Sequence, residues 1–215
     1  MYLSRVELNP YRRETVKGLS SPQLMHAAVM ASFASFGEPV EDRVLWRIDR
    51  LGAAMYLLVQ SQRKPDFHHI VDQFGRPDAG QTWDCLDYGP FLAGIANGQT
   101  WRFRLVANPT HSESRDGKRG KVYAHVTAEQ QKKWLLEKAG GNGFAVLDPE
   151  GNPTFDIMQR ELLRFERSGK TVTVSIVTFE GVLQVTDAGM LRKAMESGFG
   201  RAKAYGCGML TIAKP

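Results

Sequence analysis

The first half of the chain predicts an α+β fold of the ferredoxin-like type, and the second half permits the same interpretation. Short segments with alternating apolar and polar residues are typical of strands, and apolar residues recur at helical spacing between them. In the first half these segments follow the order strand, helix, strand, strand, helix, strand, which is the ferredoxin-like arrangement. A chain of 215 residues is long enough for two small domains. We therefore predict two tandem ferredoxin-like (RRM-like) domains, at residues 1–95 and 96–215.

Alternation and helix-start signals place the elements of the first half. Residues 2–8 alternate as a strand, and residues 9–20 are expected to form a polar, basic loop. Ser21 followed by Pro22 marks the start of a helix, and Gly37 can end it. The predicted buried face of this helix comprises Met25, Ala28, Val29, Phe33 and Phe36. The remaining segments are strands at 44–48 and 53–59, a short helix at 65–74 and an extended stretch at 82–88.

The second half is less regular than the first. Residues 101–107 alternate as a strand, residues 108–120 form a basic turn region, and residues 121–126 can return as the second arm of a hairpin. The later segments are a helix at 127–139 that ends at Gly140 and Gly141, an alternating strand at 171–185 that is broken at Glu180 and Gly181, and a strand at 209–213. Asp187 is expected to cap a last helix, whose apolar positions are Met190, Leu191, Ala194 and Met195.

Composition excludes some classes of protein and favours others. No apolar run reaches the roughly 18 residues that a membrane-spanning helix needs, so we expect no membrane partner. The first residues lack the basic and apolar regions of a secretion signal. Cys85 and Cys207 are too few and too far apart for a metal site, and free thiols favour a reducing compartment, so a cytoplasmic protein is expected. The formal net charge of +5 favours a polyanionic partner.

Positive charge is concentrated between Trp101 and Lys121. This segment contains six basic residues against two acidic ones, and the basic residues are Arg102, Arg104, Arg115, Lys118, Arg119 and Lys121. A basic hairpin suits the deep groove of an A-form RNA stem, which proteins recognise mainly through shape and phosphates. A solvated surface loop explains the same charges, and both interpretations stay open.

A second basic segment, residues 198–208, is rich in glycine. Its glycines are Gly198, Gly200, Gly206 and Gly208, and its cations are Arg201 and Lys203. Backbone amides exposed by glycine turns bind phosphates well. A dinucleotide fingerprint is excluded, because Lys203 occupies the position of the third glycine. The alternative is a helix end at Gly198 with a tight turn at 206–208.

Several short motifs, in order along almost the whole chain, give it a family resemblance. They are Met1-Tyr2-Leu3-Ser4, Gln23-Leu24-Met25-His26, residues 103–109 (Phe-Arg-Leu-Val-Ala-Asn-Pro), residues 179–183 (Phe-Glu-Gly-Val-Leu) and the glycine-rich segment. Together they resemble the CasE family of the repeat-associated RNA-binding superfamily. The members of that family process CRISPR RNA in type I-E systems.

The resemblance implies an activity, partners and a site. It implies metal-independent cleavage of the repeat hairpin in CRISPR precursor RNA, no cofactor, retention of the mature guide RNA, and assembly with other Cascade subunits. Cleavage would use the 2′-hydroxyl beside the scissile phosphate and leave a 2′,3′-cyclic phosphate. His26 matches the catalytic histidine of the family. Gln23 stands where some members carry an assisting tyrosine, so Tyr11, Lys17 or Lys203 serves instead, or His26 acts with little help.

Three functions compete at this stage. The first is a sequence- and shape-specific endoribonuclease with His26 at its centre. The second is a non-catalytic RNA-binding subunit of a CRISPR ribonucleoprotein complex, which Gln23 favours. The third is a ferredoxin-like protein that binds small ligands or other proteins, and it leaves the basic segments unexplained.

Overall fold

The computed structural model describes residues 1–33, 43–80, 83–115, 118–167 and 169–215. For residues 114, 115, 118 and 119 it describes the backbone alone. The chain forms two compact units. The first consists of Met1–Gly94, Phe165–Lys170 and Lys203–Gly206, and the second of Ile95–Arg164, Thr171–Ala202 and Cys207–Pro215. That residues 1–95 and 96–215 behave as separate domains stays a prediction.

The first unit is built on a four-stranded antiparallel sheet with the order β2-β3-β1-β4. Its strands are β1 (Tyr2–Leu8), β2 (Leu45–Leu51), β3 (Ala54–Ser61) and β4 (Trp83–Asp87). Its helices are α1 (Arg13–Ser20), α2 (Pro22–Ala31), α3 (His68–Phe74) and α4 (Gly89–Ala93). This order of strands and helices confirms the ferredoxin-like prediction for the first half.

One face of that sheet supplies the hydrophobic core of the first unit. Met55, Leu57 and Val59 alternate along β3 and are fully or almost fully buried. Met25 and Val29 of α2 belong to the same buried cluster. The remaining buried members from the sheet and from α3 are Val6, Leu8, Trp46, Ile70, Val71 and Phe74.

Two expectations for the first half were wrong. The predicted loop at 9–20 contains helix α1, which is anchored where Thr15 Oγ1 donates a hydrogen bond of 2.8 Å to the carbonyl of Phe74. Helix α2 ends at Ala31 rather than near Gly37, because the Ser32 N–H turns back to the carbonyls of Val29 and Met30. Phe33 is buried beyond the end of the helix, whereas Phe36 and Gly37 lie outside the described residues.

The second unit contains a sheet with the order β11-β5-β10-β8, and β9 pairs with β10. The elements that follow α4 are β5 (Thr100–Ala107), β6 (Thr110–Arg115), β7 (Lys118–Ala124), α5 (Ala128–Gly140), β8 (Phe144–Ala145), β9 (Phe155–Arg167), β10 (Lys170–Val185), α6 (Ala188–Ser197) and β11 (Leu210–Ala213). This is a second ferredoxin-like arrangement, with the β6–β7 hairpin inserted between its first strand and first helix. Within the described ranges, no helix is both long enough and apolar enough to cross a membrane.

The two longest helices of the second half have side-chain caps at their first turns, and the cap predicted at Asp187 is confirmed. The Thr127 side chain accepts a hydrogen bond from the Gln130 N–H, and the Asp187 side chain accepts one from the Met190 N–H. Met190 itself is 43% exposed, so it does not belong to the buried face of α6. The basic turn predicted at 108–120 is largely hairpin strand.

Strand β10 corrects another expectation, because it runs unbroken through Glu180 and Gly181. Gly181 pairs with Phe103 of β5. A β-carbon added at Gly181 would lie only 2.3 Å from the Thr154 carbonyl oxygen and 2.5 Å from Phe155 Cα. Glycine is required here by the close approach of two backbones and does not interrupt the strand.

Candidate active site

Helix α2 carries His26 in the first unit, off the face formed by Met25 and Val29. The imidazole is half-buried. Its Nδ1 atom is buried and has no hydrogen-bond partner among the described residues. A substrate can therefore reach the ring only at Nε2.

The surroundings of His26 favour the neutral imidazole. Burial lowers the pKa of His26 from its ordinary value, and the positive charge of Arg167 lowers it further. Both effects disfavour the imidazolium ion. His26 is therefore in the form that accepts a proton at neutral pH.

Arg167, the cation that acts on His26, is the last residue of β9, and its side chain contacts a tyrosine. Its Nη1 donates a hydrogen bond of 2.6 Å to the hydroxyl oxygen of Tyr205. The Tyr205 ring meets the buried ring of Phe165 edge-on, with centroids 4.8 Å apart. Phe165 and Arg167 lie two residues apart on β9, so they point to the same side of the strand and hold Tyr205 together.

Tyr205 ends a 3₁₀ turn, Lys203–Tyr205, that lies against α2 and β2. Burial lowers the pKa of the Lys203 ammonium, and the nearby Arg43 lowers it further. Gly206 follows the turn with φ of +82°, and a β-carbon there would lie 3.1 Å from the ring of Trp46. We refer to His26, Arg167, Lys203 and Tyr205 as the His26 cluster.

The His26 cluster combines a proton acceptor, a hydroxyl group and two cations. Cleavage of RNA by its own 2′-hydroxyl needs a base, an acid for the leaving 5′-oxygen, and positive charge for the phosphorane-like transition state. The cluster supplies groups of each kind. Among the described residues, no three histidine, cysteine, aspartate or glutamate side chains are grouped so that they could hold a metal ion.

The other candidates for assistance occupy different positions in the first unit. Gln23 lies on α2, one helical turn before His26. Tyr11 precedes α1 and its side chain is 90% exposed, while Lys17 lies in the last turn of α1. A role for Tyr11 or Lys17 in catalysis stays a prediction.

The predicted RNA contacts of the basic segment lie in the second unit. Arg102 and Arg104 alternate on β5, and Arg104 Nη1 forms an ion pair of 2.7 Å with Glu180. On β7, Lys121 Nζ lies 5.1 Å from the ring centroid of Tyr123. The side chains of Arg115, Lys118 and Arg119 lie outside the described residues.

Most of the glycine-rich segment also belongs to the second unit. Gly198 ends α6, and the Gly208 N–H donates a hydrogen bond of 2.6 Å to the Val106 carbonyl. A β-carbon on Gly200 would lie 3.1 Å from the Trp134 ring. Arg201 is exposed. The alternative of a helix end and a tight turn thus describes Gly198 and Gly208, and phosphate binding by the segment stays a prediction.

Comparison with known proteins identifies the family. Residues 1–214 match the family described as CRISPR associated protein. The chain belongs to this family. One relative is the CRISPR-associated endoribonuclease Cse3 of Thermus thermophilus. The two sequences are 31% identical over 229 aligned positions, which cover 99% of this chain and 100% of the relative.

One further relative and one solved structure extend the comparison. The CRISPR system Cascade subunit CasE of Escherichia coli is 33% identical over 119 positions, which cover 52% of this chain and 56% of that protein. The solved structure of Thermus thermophilus Cse3 bound to an RNA representing a pre-cleavage complex superposes with a TM-score of 0.83 at 29% identity. That superposition covers 99% of this CRISPR-associated protein and 98% of the solved chain, so the two share their fold throughout.

Two members of the His26 cluster were not among the predicted site residues of this CRISPR-associated protein. Tyr205 lies in the glycine-rich segment, and the sequence around it has no helical or strand periodicity that would indicate where its side chain points. Arg167 belongs to β9, which carries three arginines in eight residues, at 160, 164 and 167. That density of positive charge was the one signal in the sequence that could have drawn attention to it.

Proposed function

We propose that this protein is an endoribonuclease that cleaves the repeat hairpin of CRISPR precursor RNA without a metal ion. The 2′-hydroxyl beside the scissile phosphate attacks, the bond to the 5′-oxygen breaks, and a 2′,3′-cyclic phosphate remains. The protein then retains the mature guide RNA. This proposal extends to the chain the activity that the name of its Thermus relative states.

One observation carries the proposal: the pKa of the half-buried His26 is lowered by burial and by the charge of Arg167, and the turn that carries Lys203 lies against the same helix. His26 accepts the proton of the attacking hydroxyl, and the charges of Arg167 and Lys203 stabilise the phosphorane-like transition state. Both cations come from segments distant in sequence from α2, yet each belongs to the same compact unit. A histidine close to the charge of Arg167, with Lys203 on the adjoining turn, suits a phosphodiester substrate.

Apart from Lys203, which also binds RNA phosphates in this proposal, the groups that hold the RNA lie outside the His26 cluster. Arg102 and Arg104 of β5, Lys121 of β7 and Arg201 offer charge to phosphates. The same contacts keep the processed guide RNA bound after cleavage. The other subunits of a Cascade complex are the expected protein partners, as the name of the Escherichia coli relative indicates for that protein.

The test is single-turnover cleavage of a synthetic repeat hairpin in excess EDTA. We expect cleavage by the unmodified protein, and a rate lower by roughly 10²–10⁴-fold in His26→Ala, the usual contribution of a general base. RNA affinity should stay nearly unchanged in that variant. A 2′-deoxy nucleotide at the cleavage position should block the reaction, because it removes the nucleophile.

His68→Ala is the matched control. His68 is an exposed histidine of α3 in the same unit, and its Nδ1 is paired with Asp66 at 2.6 Å. The His68→Ala variant should cleave the hairpin at the same rate as the unmodified protein. An absolute need for a divalent cation would overturn the metal-independent route, and full activity in His26→Ala would move the active site elsewhere.

A non-catalytic RNA-binding subunit is the second candidate function. Gln23 favours it, because an amide does not exchange protons near neutral pH. The same assay separates the two functions. Tight binding of the hairpin without any cleavage, in the presence or absence of metal ions, would identify the binding subunit.

A further inference from the structure

We propose that the Tyr205 hydroxyl, oriented by Arg167 and Phe165, donates the proton that the leaving 5′-oxygen takes up during cleavage. Tyr205 would thus be a catalytic residue, and Arg167 and Phe165 would be positioning residues. This inference rests on the proposed endoribonuclease function and adds the second half of its proton transfer.

The cluster needs a separate acid because His26 is neutral. An imidazole without its second proton can accept the proton of the 2′-hydroxyl but has none to spare for the leaving group at the same moment. Gln23, one turn away on α2, offers no proton either. Two elements that lie against α2, helix α1 and the Lys203–Tyr205 turn, are in a position to supply the acid instead.

Tyr205 meets that requirement by its position. The 3₁₀ turn that carries it lies against α2. Arg167 connects the two groups, because it is hydrogen-bonded to the Tyr205 hydroxyl and its charge also acts on His26. The two residues that would exchange protons with the substrate thus share one neighbour.

The geometry also directs the hydroxyl hydrogen. A tyrosine hydroxyl can donate one hydrogen bond and accept others. Arg167 has no acceptor, so the hydroxyl oxygen must accept the bond of 2.6 Å and keep its own hydrogen free to point elsewhere. The edge-on contact with Phe165 fixes the ring that carries this hydroxyl.

The proposed step balances in protons and bonds. His26 takes the 2′-hydroxyl proton, the 2′-oxygen bonds to phosphorus, the bond from phosphorus to the 5′-oxygen breaks, and that oxygen takes the Tyr205 proton. The phenolate that remains faces the Arg167 guanidinium, a charge-assisted contact that stabilises it. The proton held by His26 returns to Tyr205 through solvent, and the products are a 2′,3′-cyclic phosphate and a 5′-hydroxyl.

Lys203 is the competing acid within the cluster. Its ammonium is at the end of a flexible four-carbon stem, whereas Tyr205 is fixed at two points. We therefore assign Lys203 to charge stabilisation of the transition state. An experiment can separate the two roles, because a substrate whose leaving group needs no proton still needs the positive charge of Lys203 but no longer needs the proton of Tyr205.

The experiment compares an ordinary repeat hairpin with one whose scissile 5′-oxygen is replaced by sulfur. A thiolate leaves without protonation, so this substrate does not need an acid. Tyr205→Phe should cleave the ordinary RNA roughly 10²-fold more slowly than the unmodified protein, the lower end of a general-acid contribution. It should cleave the sulfur-substituted RNA at the unmodified rate. Lys203→Met and His26→Ala should stay slow on both substrates.

Tyr56→Phe controls for the loss of a hydroxyl group. Tyr56 lies on β3 with the Arg5 guanidinium 5.1 Å from its ring centroid, and its variant should match the unmodified protein on both substrates. Thermal unfolding checks that Tyr205→Phe folds normally. Unchanged cleavage of ordinary RNA by Tyr205→Phe, or rescue by sulfur in Lys203→Met instead, would overturn the inference while His26→Ala still tests the proposed function.

Discussion

Arg167 acts on His26 through its charge, and the consequence can be measured as a change in pH dependence. The base form of His26 is the active one, so the cleavage rate rises with pH through the His26 pKa and then levels off. Burial and Arg167 place that inflection below the ordinary histidine value of about 6.5. Replacing Arg167 by Met removes one of the two causes, so the inflection should move upward.

The measurement is the single-turnover rate between about pH 5 and pH 8, a range that brackets the ordinary histidine pKa. Relative to the unmodified protein, Arg167→Met should lose more activity at the acid end than at the alkaline end. Arg164→Met, three residues earlier on the same strand, should leave the inflection in place. An Arg167→Met profile parallel to that of the unmodified protein would show that this charge does not act on the catalytic base.

The sequence predicted the helix that carries His26, but it did not predict which residues lie near His26. The start of α2 follows from Ser21 and Pro22, which are adjacent to each other and to the helix. Arg167 and Tyr205 lie more than a hundred residues further along the chain. Their approach to α2 depends on where β9 ends and where the glycine-rich segment turns, and neither leaves a periodic pattern in the sequence.

The crossing of β10 over residues 154 and 155 allows a prediction for a whole element. Gly181→Ala would place a β-carbon 2.3 Å from the Thr154 carbonyl oxygen, so either β10 or the start of β9 must shift. We expect the free energy of unfolding to fall by about 3 kcal/mol, the upper end of the cost of overpacking. Urea denaturation of the purified variant measures it.

Gly140→Ala is the control for that substitution. Gly140 is the last residue of α5, and nothing lies within 4 Å of a β-carbon added there. The free energy of unfolding of the Gly140→Ala variant should stay within about 1 kcal/mol of that of the unmodified protein, which is the difference in helix propensity between Gly and Ala. Equal stability of the two variants would mean that β10 can shift to admit a β-carbon at Gly181 without a loss of unfolding free energy.

Strands differed in how well the sequence predicted them. β1 and β5 each bury alternate residues against a core, so their alternation is visible in the sequence. β9 is exposed along most of its 13 residues, because its pairing is with β10 and little of either face is covered. Without a buried face there is no selection for alternation, so charged and apolar residues are mixed and periodicity cannot identify the strand.

The positive charge of the whole molecule predicts how RNA affinity responds to salt. Replacing Arg201 and Lys203 together by Ala should weaken binding and flatten the dependence of log affinity on log salt, by roughly one unit of slope for each phosphate that is no longer neutralised. Filter binding of the repeat hairpin at several salt concentrations measures both. An unchanged affinity would leave the glycine-rich segment as a turn without a role in RNA binding.

The control removes the same amount of charge at another place. Lys133 and Lys138 lie on α5, and Lys133 already has Glu137 within 4.0 Å. Replacing both by Ala lowers the net charge equally, so any effect of overall charge alone appears in this variant too. A slope that changes only with Arg201 and Lys203 assigns the phosphate contacts to the glycine-rich segment.

The first unit is completed by two short segments, 165–170 and 203–206, that the ribosome synthesises long after residue 94. During translation the nascent chain can form the β1–β4 sheet early, but Arg167 and Tyr205 join it only after the chain through residue 205 has also emerged. A prematurely terminated product would therefore carry His26 without the residues that surround it. We therefore expect that a chain truncated before residue 203 can form the β1–β4 sheet but lacks the Lys203–Tyr205 turn and does not cleave RNA.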